Sequence, residues 1–124
     1  MTAEEFREIA LSFPETVEAS HMNHPDFRVR GKIFASLGYP NADWGMVGLT
    51  PEEQARVTKA EPDVFTPVNG AWGRAGATRV LLRLARKESV REAMQVAWQY
   101  HGEKAASRKK TTRKAGSSQT KSRR

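Results

Sequence analysis

Apolar positions recur at helical spacing at both ends of the chain and alternate with polar ones in between. From Thr2 to Leu11, Phe6, Ile9 and Ala10 line one face together with Phe13, which predicts a first helix. Thr2 and Glu5 have capping-box spacing, which satisfies free amide donors at a helix start, and Pro14 ends the run because it lacks an amide hydrogen. Val17 to Met22 reads as a strand with Val17, Ala19 and His21 on one side, and Asn23-His24-Pro25-Asp26 as a turn. The stretch Phe27 to Leu37 then predicts a β-hairpin. A type II′ loop at Gly31-Lys32 places glycine where positive φ is needed. That register sets Arg30 opposite Ile33 and Val29 opposite Phe34. Phe27, Val29 and Phe34 then face the core, and Arg28, Arg30 and Lys32 lie on the open side with Ile33, Ala35 and Leu37. A loop at Arg30-Gly31 would bring Lys32 beside Val29 on the core face, which argues against it; a one-residue slip exchanges every side chain.

Gly38 to Asp43 is a loop, and Trp44 to Leu49 alternates as the next strand. Thr50 as cap, Pro51 at the first helical position and Glu53 predict a short helix ending near Ala60. Pro62 to Gly76 is rich in glycine and proline and reads as irregular, with Val64, Phe65, Val68 and Trp72 packing it down on the body. Thr78 to Leu84 is the last strand. Ser89 with Glu92 predicts a capped final helix, whose stripe is Val90, Met94, Ala97, Trp98 and His101. Runs of consecutive strands with flanking helices predict an α+β fold, a small antiparallel sheet with helices packed on one face.

Charge divides the chain in two. Of 21 basic residues, eight fall between 107 and 124 with no acid (Arg108, Lys109, Lys110, Arg113, Lys114, Lys121, Arg123 and Arg124). Residues 1–106 carry 13 basic and 14 acidic groups, a net of −1. The division predicts one domain over 1–106 and a basic tail over 107–124 too poor in apolar residues to order itself. With no cysteine, disulfides and thiol chemistry are excluded. No apolar run reaches the ~20 residues a membrane span needs, and Glu4 and Glu5 stand where an export signal would be basic, so a cytoplasmic location is expected.

Four stretches offer chemistry. The tail, with Arg108, Lys109, Lys110, Arg113 and Lys114 first, can bind a polyanion by releasing counterions, or can serve as a solubilising end. Arg28, Arg30 and Lys32 can meet phosphate or guanine from a two-stranded ribbon, or pair with neighbouring acids. Trp72-Gly73-Arg74-Ala75-Gly76 can hold a phosphate through Arg74, but lacks the spacing of a P-loop; the competing reading makes Trp72 a packing plug and the glycines a matter of backbone geometry. His21 and His24, three apart, can share a metal with Asp26 and His101 as further ligands, but a strand end rarely supplies the rest of the shell and no cysteine helps, so ordinary surface or half-buried histidines are the competing reading. No nucleophile elbow, zinc-protease helix or cofactor fingerprint occurs, so neither catalysis, metal nor cofactor is expected.

The stretches Phe27-Arg28-Val29-Arg30-Gly31-Lys32-Ile33-Phe34-Ala35, Gly70-Ala71-Trp72-Gly73-Arg74-Ala75-Gly76-Ala77-Thr78 and Ala93-Met94-Gln95-Val96-Ala97-Trp98 together resemble the MmcQ/YjbR-like family over roughly residues 2–102. The resemblance implies a CyaY-like (frataxin-like) α+β fold. It also implies DNA binding, inferred for the family from a double-wing arrangement, and it carries over no catalytic or base-contacting residue. The expectation is a non-enzymatic protein that binds DNA electrostatically with weak sequence preference. A protein-interaction module with no nucleic-acid role is the alternative, and no membrane partner is expected.

Overall fold

The computed structural model describes residues 1–117, with side chains through residue 106. Helix α1 (Ala3–Leu11) is followed by β1 (Thr16–His21), β2 (His24–Val29), β3 (Lys32–Leu37) and β4 (Trp44–Gly48). Then come α2 (Pro51–Ala60), β5 (Phe65–Pro67), a helical turn α3 (Ala71–Arg74), β6 (Ala77–Leu81) and α4 (Lys87–Ser117). The strands form one antiparallel sheet in the order β1-β2-β3-β4-β6-β5. Helices α1 and α2 both pack against α4, so one sheet face is covered and the other is not. The fold is α+β, as expected.

Local chemistry accounts for the elements. The α1 capping box forms, with the Glu5 amide donating to Thr2 Oγ1 at 3.0 Å and the Thr2 amide to Glu5 Oε1 at 2.8 Å. Thr50 caps α2 in the same way, accepting from the Glu53 amide at 3.1 Å. Helix α4 begins at Lys87, two residues before the expected cap, so Ser89 lies inside its first turn. The segment after Pro62 is more regular than its composition implied: β5 adds an edge strand, and α3 returns the chain to β6. The core lies between the covered face and the helices. Phe6, Phe27, Phe34, Phe65, Met94, Val47 and Val80 are fully buried there, and each contributes about 2 kcal/mol by removal from water.

The hairpin turns at Arg30-Gly31, not at Gly31-Lys32. Arg30 and Gly31 both have positive φ (52° and 82°), the geometry of a type I′ turn, whose twist matches that of paired strands. Val29 pairs with Lys32 and Arg28 with Ile33. The feared burial of Lys32 does not follow, because this pair sits at the end of the sheet and Lys32 stays half-exposed. A β-bulge then resets the phase. Phe27 pairs with Ala35, which leaves Phe34 as the extra residue on β3. Phe34, Ala35 and Leu37 are therefore all buried, and the expected exposure of Ala35 and Leu37 is corrected. The preceding turn is Met22-Asn23, also with positive φ at both residues (52° and 68°), so Asp26 belongs to a strand and not to a loop.

The register assigns the uncovered face. Val17, Arg28 and Ile33 form a row at the hairpin end. A central row runs from Ala19 through Asp26, Ser36, Met46 and Arg79 to Thr66. At the far end His21 pairs with His24 and Trp44 with Leu81.

Candidate nucleic-acid interface

Two features 72 residues apart in sequence meet at one corner. At Gly102 α4 meets β2: a Cβ there would lie 3.5 Å from Val29 Cγ2, in ordinary van der Waals contact. One residue earlier, His101 Nε2 donates to the Gly48 carbonyl at 3.1 Å. Gly48 permits this, since any Cβ would stand 2.7 Å from that nitrogen. From the hairpin tip, Arg30 Nη1 donates to the Gly102 carbonyl at 3.3 Å, and its Nε meets Glu15 Oε1 at 3.2 Å. The left-handed backbone of Arg30 costs about 1 kcal/mol, and these two contacts offset it. Lys104 lies over the Tyr100 ring at 5.7 Å. From this corner the chain enters the eight-cation segment.

His101 reports the local field. Its pKa lies below the ordinary imidazole value, chiefly because burial penalises the imidazolium. The Gly48 carbonyl opposes this, and the nearby positive charges of Lys104 and Lys32 add to it. A folded-state pKa below the unfolded value of 6.5 means that the unfolded chain takes up the proton first. Stability from this residue is therefore full above about pH 6.5 and declines as pH falls through that value. His101→Gln is expected to flatten the fall in melting temperature between pH 7 and 5.5, and to leave the profile above pH 7 unchanged.

The other expected residues are not gathered together. Arg28 lies on the uncovered face, and its Nε and Nη2 donate to the two carboxylate oxygens of Asp26 at 2.8 and 3.2 Å. Lys32 turns to the helix-covered side, so Arg28, Arg30 and Lys32 do not form one open patch. Arg74 is exposed on α3 beside β6, with β4 between it and the hairpin. The side chains of Arg108, Lys109, Lys110, Arg113 and Lys114 lie outside the described residues. Helix α4 runs on through Ser117 into the segment expected to be disordered, and for 118–124 that expectation lies outside the described residues. Trp72 is not a packing plug: it is 77% exposed. The backbone reading of its glycines holds, since a Cβ on Gly73 would fall 1.5 Å from the Val68 carbonyl oxygen. His101 is on the helix-covered side of the sheet, and His21 and His24 are at the far end of the uncovered face.

Sequence reading missed Arg79. Its guanidinium lies 5.2 Å from the centroid of the Trp44 ring, and its Nε is buried without a hydrogen-bond acceptor. The signal was the alternation Thr78-Arg79-Val80, which places an arginine opposite two buried neighbours.

A six-stranded antiparallel sheet with helices on one face and a bare opposite face defines the class of protein. Residues 11–100 match the YjbR family, and the chain belongs to it. No curated protein matches the sequence. The fold is similar to the crystal structure of protein DR2400 from Deinococcus radiodurans, which carries a DUF419 domain. The TM-score is 0.65 and the identity 15%, covering 78% of this chain and 75% of that one. Among the described residues no helix is long and apolar enough to cross a membrane.

Proposed function

We propose that this YjbR-family protein is a non-enzymatic, cytoplasmic DNA-binding protein that neutralises phosphates at the corner of Arg30, Lys32, Lys104 and the tail, without strong sequence preference. The observation that supports this reading is the Arg30–Gly102 contact, which brings α4 against the hairpin tip five residues before the basic segment begins at Ser107. The near-neutral body contributes shape and a few cations, and the segment from Ser107 contributes most of the attraction. Binding of duplex DNA by the full chain is expected to weaken steeply with salt. Truncation after Ala106 should reduce low-salt affinity at least about tenfold and flatten the salt dependence at the same time. A Lys32→Glu/Lys104→Glu variant should lower affinity further. Absence of binding by the full chain at low salt would overturn the reading.

The exposure of Trp72 favours a second reading, a protein-docking module. Its ring stands on a turn fixed by Gln54, whose Nε2 donates to the Gly73 and Ala77 carbonyls at 2.8 and 3.0 Å. Under this reading, the truncated protein would retain nuclease-resistant partners and Trp72→Ala would release them.

A further inference from the structure

The uncovered sheet face carries one charge that the fold itself does not balance. Its two arginines are differently placed. Arg28 is neutralised by Asp26, whereas Arg79 has no acidic partner among the described residues. The Arg79 guanidinium is held beside the Trp44 ring, on β6 next to the edge strand β5. Toward the far end of the same face, His24 meets Tyr39 edge-on at 6.1 Å, and Tyr39 is 63% exposed. An unbalanced planar cation over a half-buried indole, on a face whose far end exposes Tyr39, calls for a ligand that is both anionic and aromatic. A duplex supplies phosphates but keeps its base faces stacked. An acidic peptide supplies charge but nothing for the rings. A single strand supplies both, because its bases stack on aromatic side chains and on arginine planes while its phosphates meet the cation. The rows of Arg28 and His24 are about 13 Å apart along β2, enough for a short extended segment. The Arg28 row also adjoins the hairpin tip, where the basic corner begins.

We propose that the uncovered face binds single-stranded nucleic acid, with one base on the Arg79–Trp44 pair, another on Tyr39, and the backbone continuing to the basic corner. This rests on the nucleic-acid reading above and specifies the strand form that the body recognises.

The test measures anisotropy of the full chain with three probes of equal charge: a short oligothymidine, its abasic counterpart and a duplex. The oligothymidine is expected to bind about thirtyfold more tightly than the abasic strand, the low end for stacking of two bases at about 1 kcal/mol each. Arg79→Lys and Tyr39→Ala should each cut that preference about fivefold, the share of one stacked base. Tyr39 is on an exposed loop, so its variant remains informative if the Arg79 variant fails to melt cooperatively. Equal binding of intact and abasic strands would overturn the proposal while leaving electrostatic binding at the corner intact. So would Arg79-dependent displacement by polyglutamate without a base preference, which would identify the face as a dock for acidic protein. Failure of all three probes to bind at low salt would overturn the functional reading itself.

Discussion

Gly76→Ala is expected to destabilise the protein by more than about 3 kcal/mol, enough to leave much of the chain unfolded at ambient temperature. Gly76 has φ +121°, and a Cβ there would stand 1.8 Å from the Leu49 carbonyl oxygen. That atom is backbone, so no rotamer change relieves the clash. The same residue joins two elements: its carbonyl accepts from the Leu49 amide at 3.1 Å and from the buried Thr78 hydroxyl at 2.8 Å. Moving Gly76 aside therefore also breaks the junction between the end of β4 and the start of β6. Gly31→Ala is the control. It shares the positive φ (+82°), but nothing lies within 4 Å of its Cβ, so only the conformational cost of about 1 kcal/mol remains. Denaturant midpoints of the two variants separate crowding from backbone preference. Similar midpoints for both would refute the account.

The legible parts of the fold were those written in local chemistry. Both capping threonines and the proline that stops α1 depend on neighbours a few residues away and act where their spacing placed them, whereas the last strand, expected to reach Leu84, ends at Leu81 before a 3-10 turn over Leu82–Leu84. The hairpin shows where such reading stops. Reserving positive φ for glycine led to the wrong loop, because Arg30 adopts it with support from Glu15 and Gly102, residues no local pattern connects to it. The rejected register was penalised for placing Lys32 on the core face, a cost that disappears at the end of a sheet. The Phe34 bulge has no sequence signature of its own, yet it decides that Ala35 and Leu37 are buried.

The candidate site divides along the same line. The cations themselves were plain in the composition, and their arrangement was not. Arg28, Arg30 and Lys32 look like one basic stripe in sequence, but the turn takes up Arg30 itself and sets Lys32 opposite Val29, so the three lie in different environments. Conversely, the hairpin and the basic segment look unrelated until α4 carries Gly102 to the turn. Arg79 was hidden inside an apolar strand, because alternation marks a residue as outward-facing without saying that nothing covers that face. Trp72 shows the opposite: of the apolar residues in that glycine-rich stretch, Val64 and Phe65 are buried and the indole stays outside.

Arg28→Met is expected to cost about 2–3 kcal/mol, although Arg28 itself is only half-buried. The reason lies in its partner. Asp26 is 2% exposed on an otherwise open face, and both of its oxygens accept from the same guanidinium at 2.8 and 3.2 Å. Removing the arginine leaves a carboxylate with little access to water and no other cation bonded to it among the described residues. The Arg28 pKa is raised by this hydrogen bonding and by the Asp26 charge, so the ion pair persists throughout the range in which the carboxylate is ionised. Asp26→Asn in the Arg28→Met background removes the stranded charge and should restore more than half of the lost stability, a coupling of at least about 1 kcal/mol in a double-mutant cycle. Additive losses would mean that Asp26 is solvated after all and that Arg28 acts only through packing of its stem. Because the cycle reads stability, it also shows whether Arg28 is available to a ligand: a guanidinium committed to Asp26 can offer phosphate only its remaining N–H groups, which leaves Arg79 as the unbalanced cation of that face.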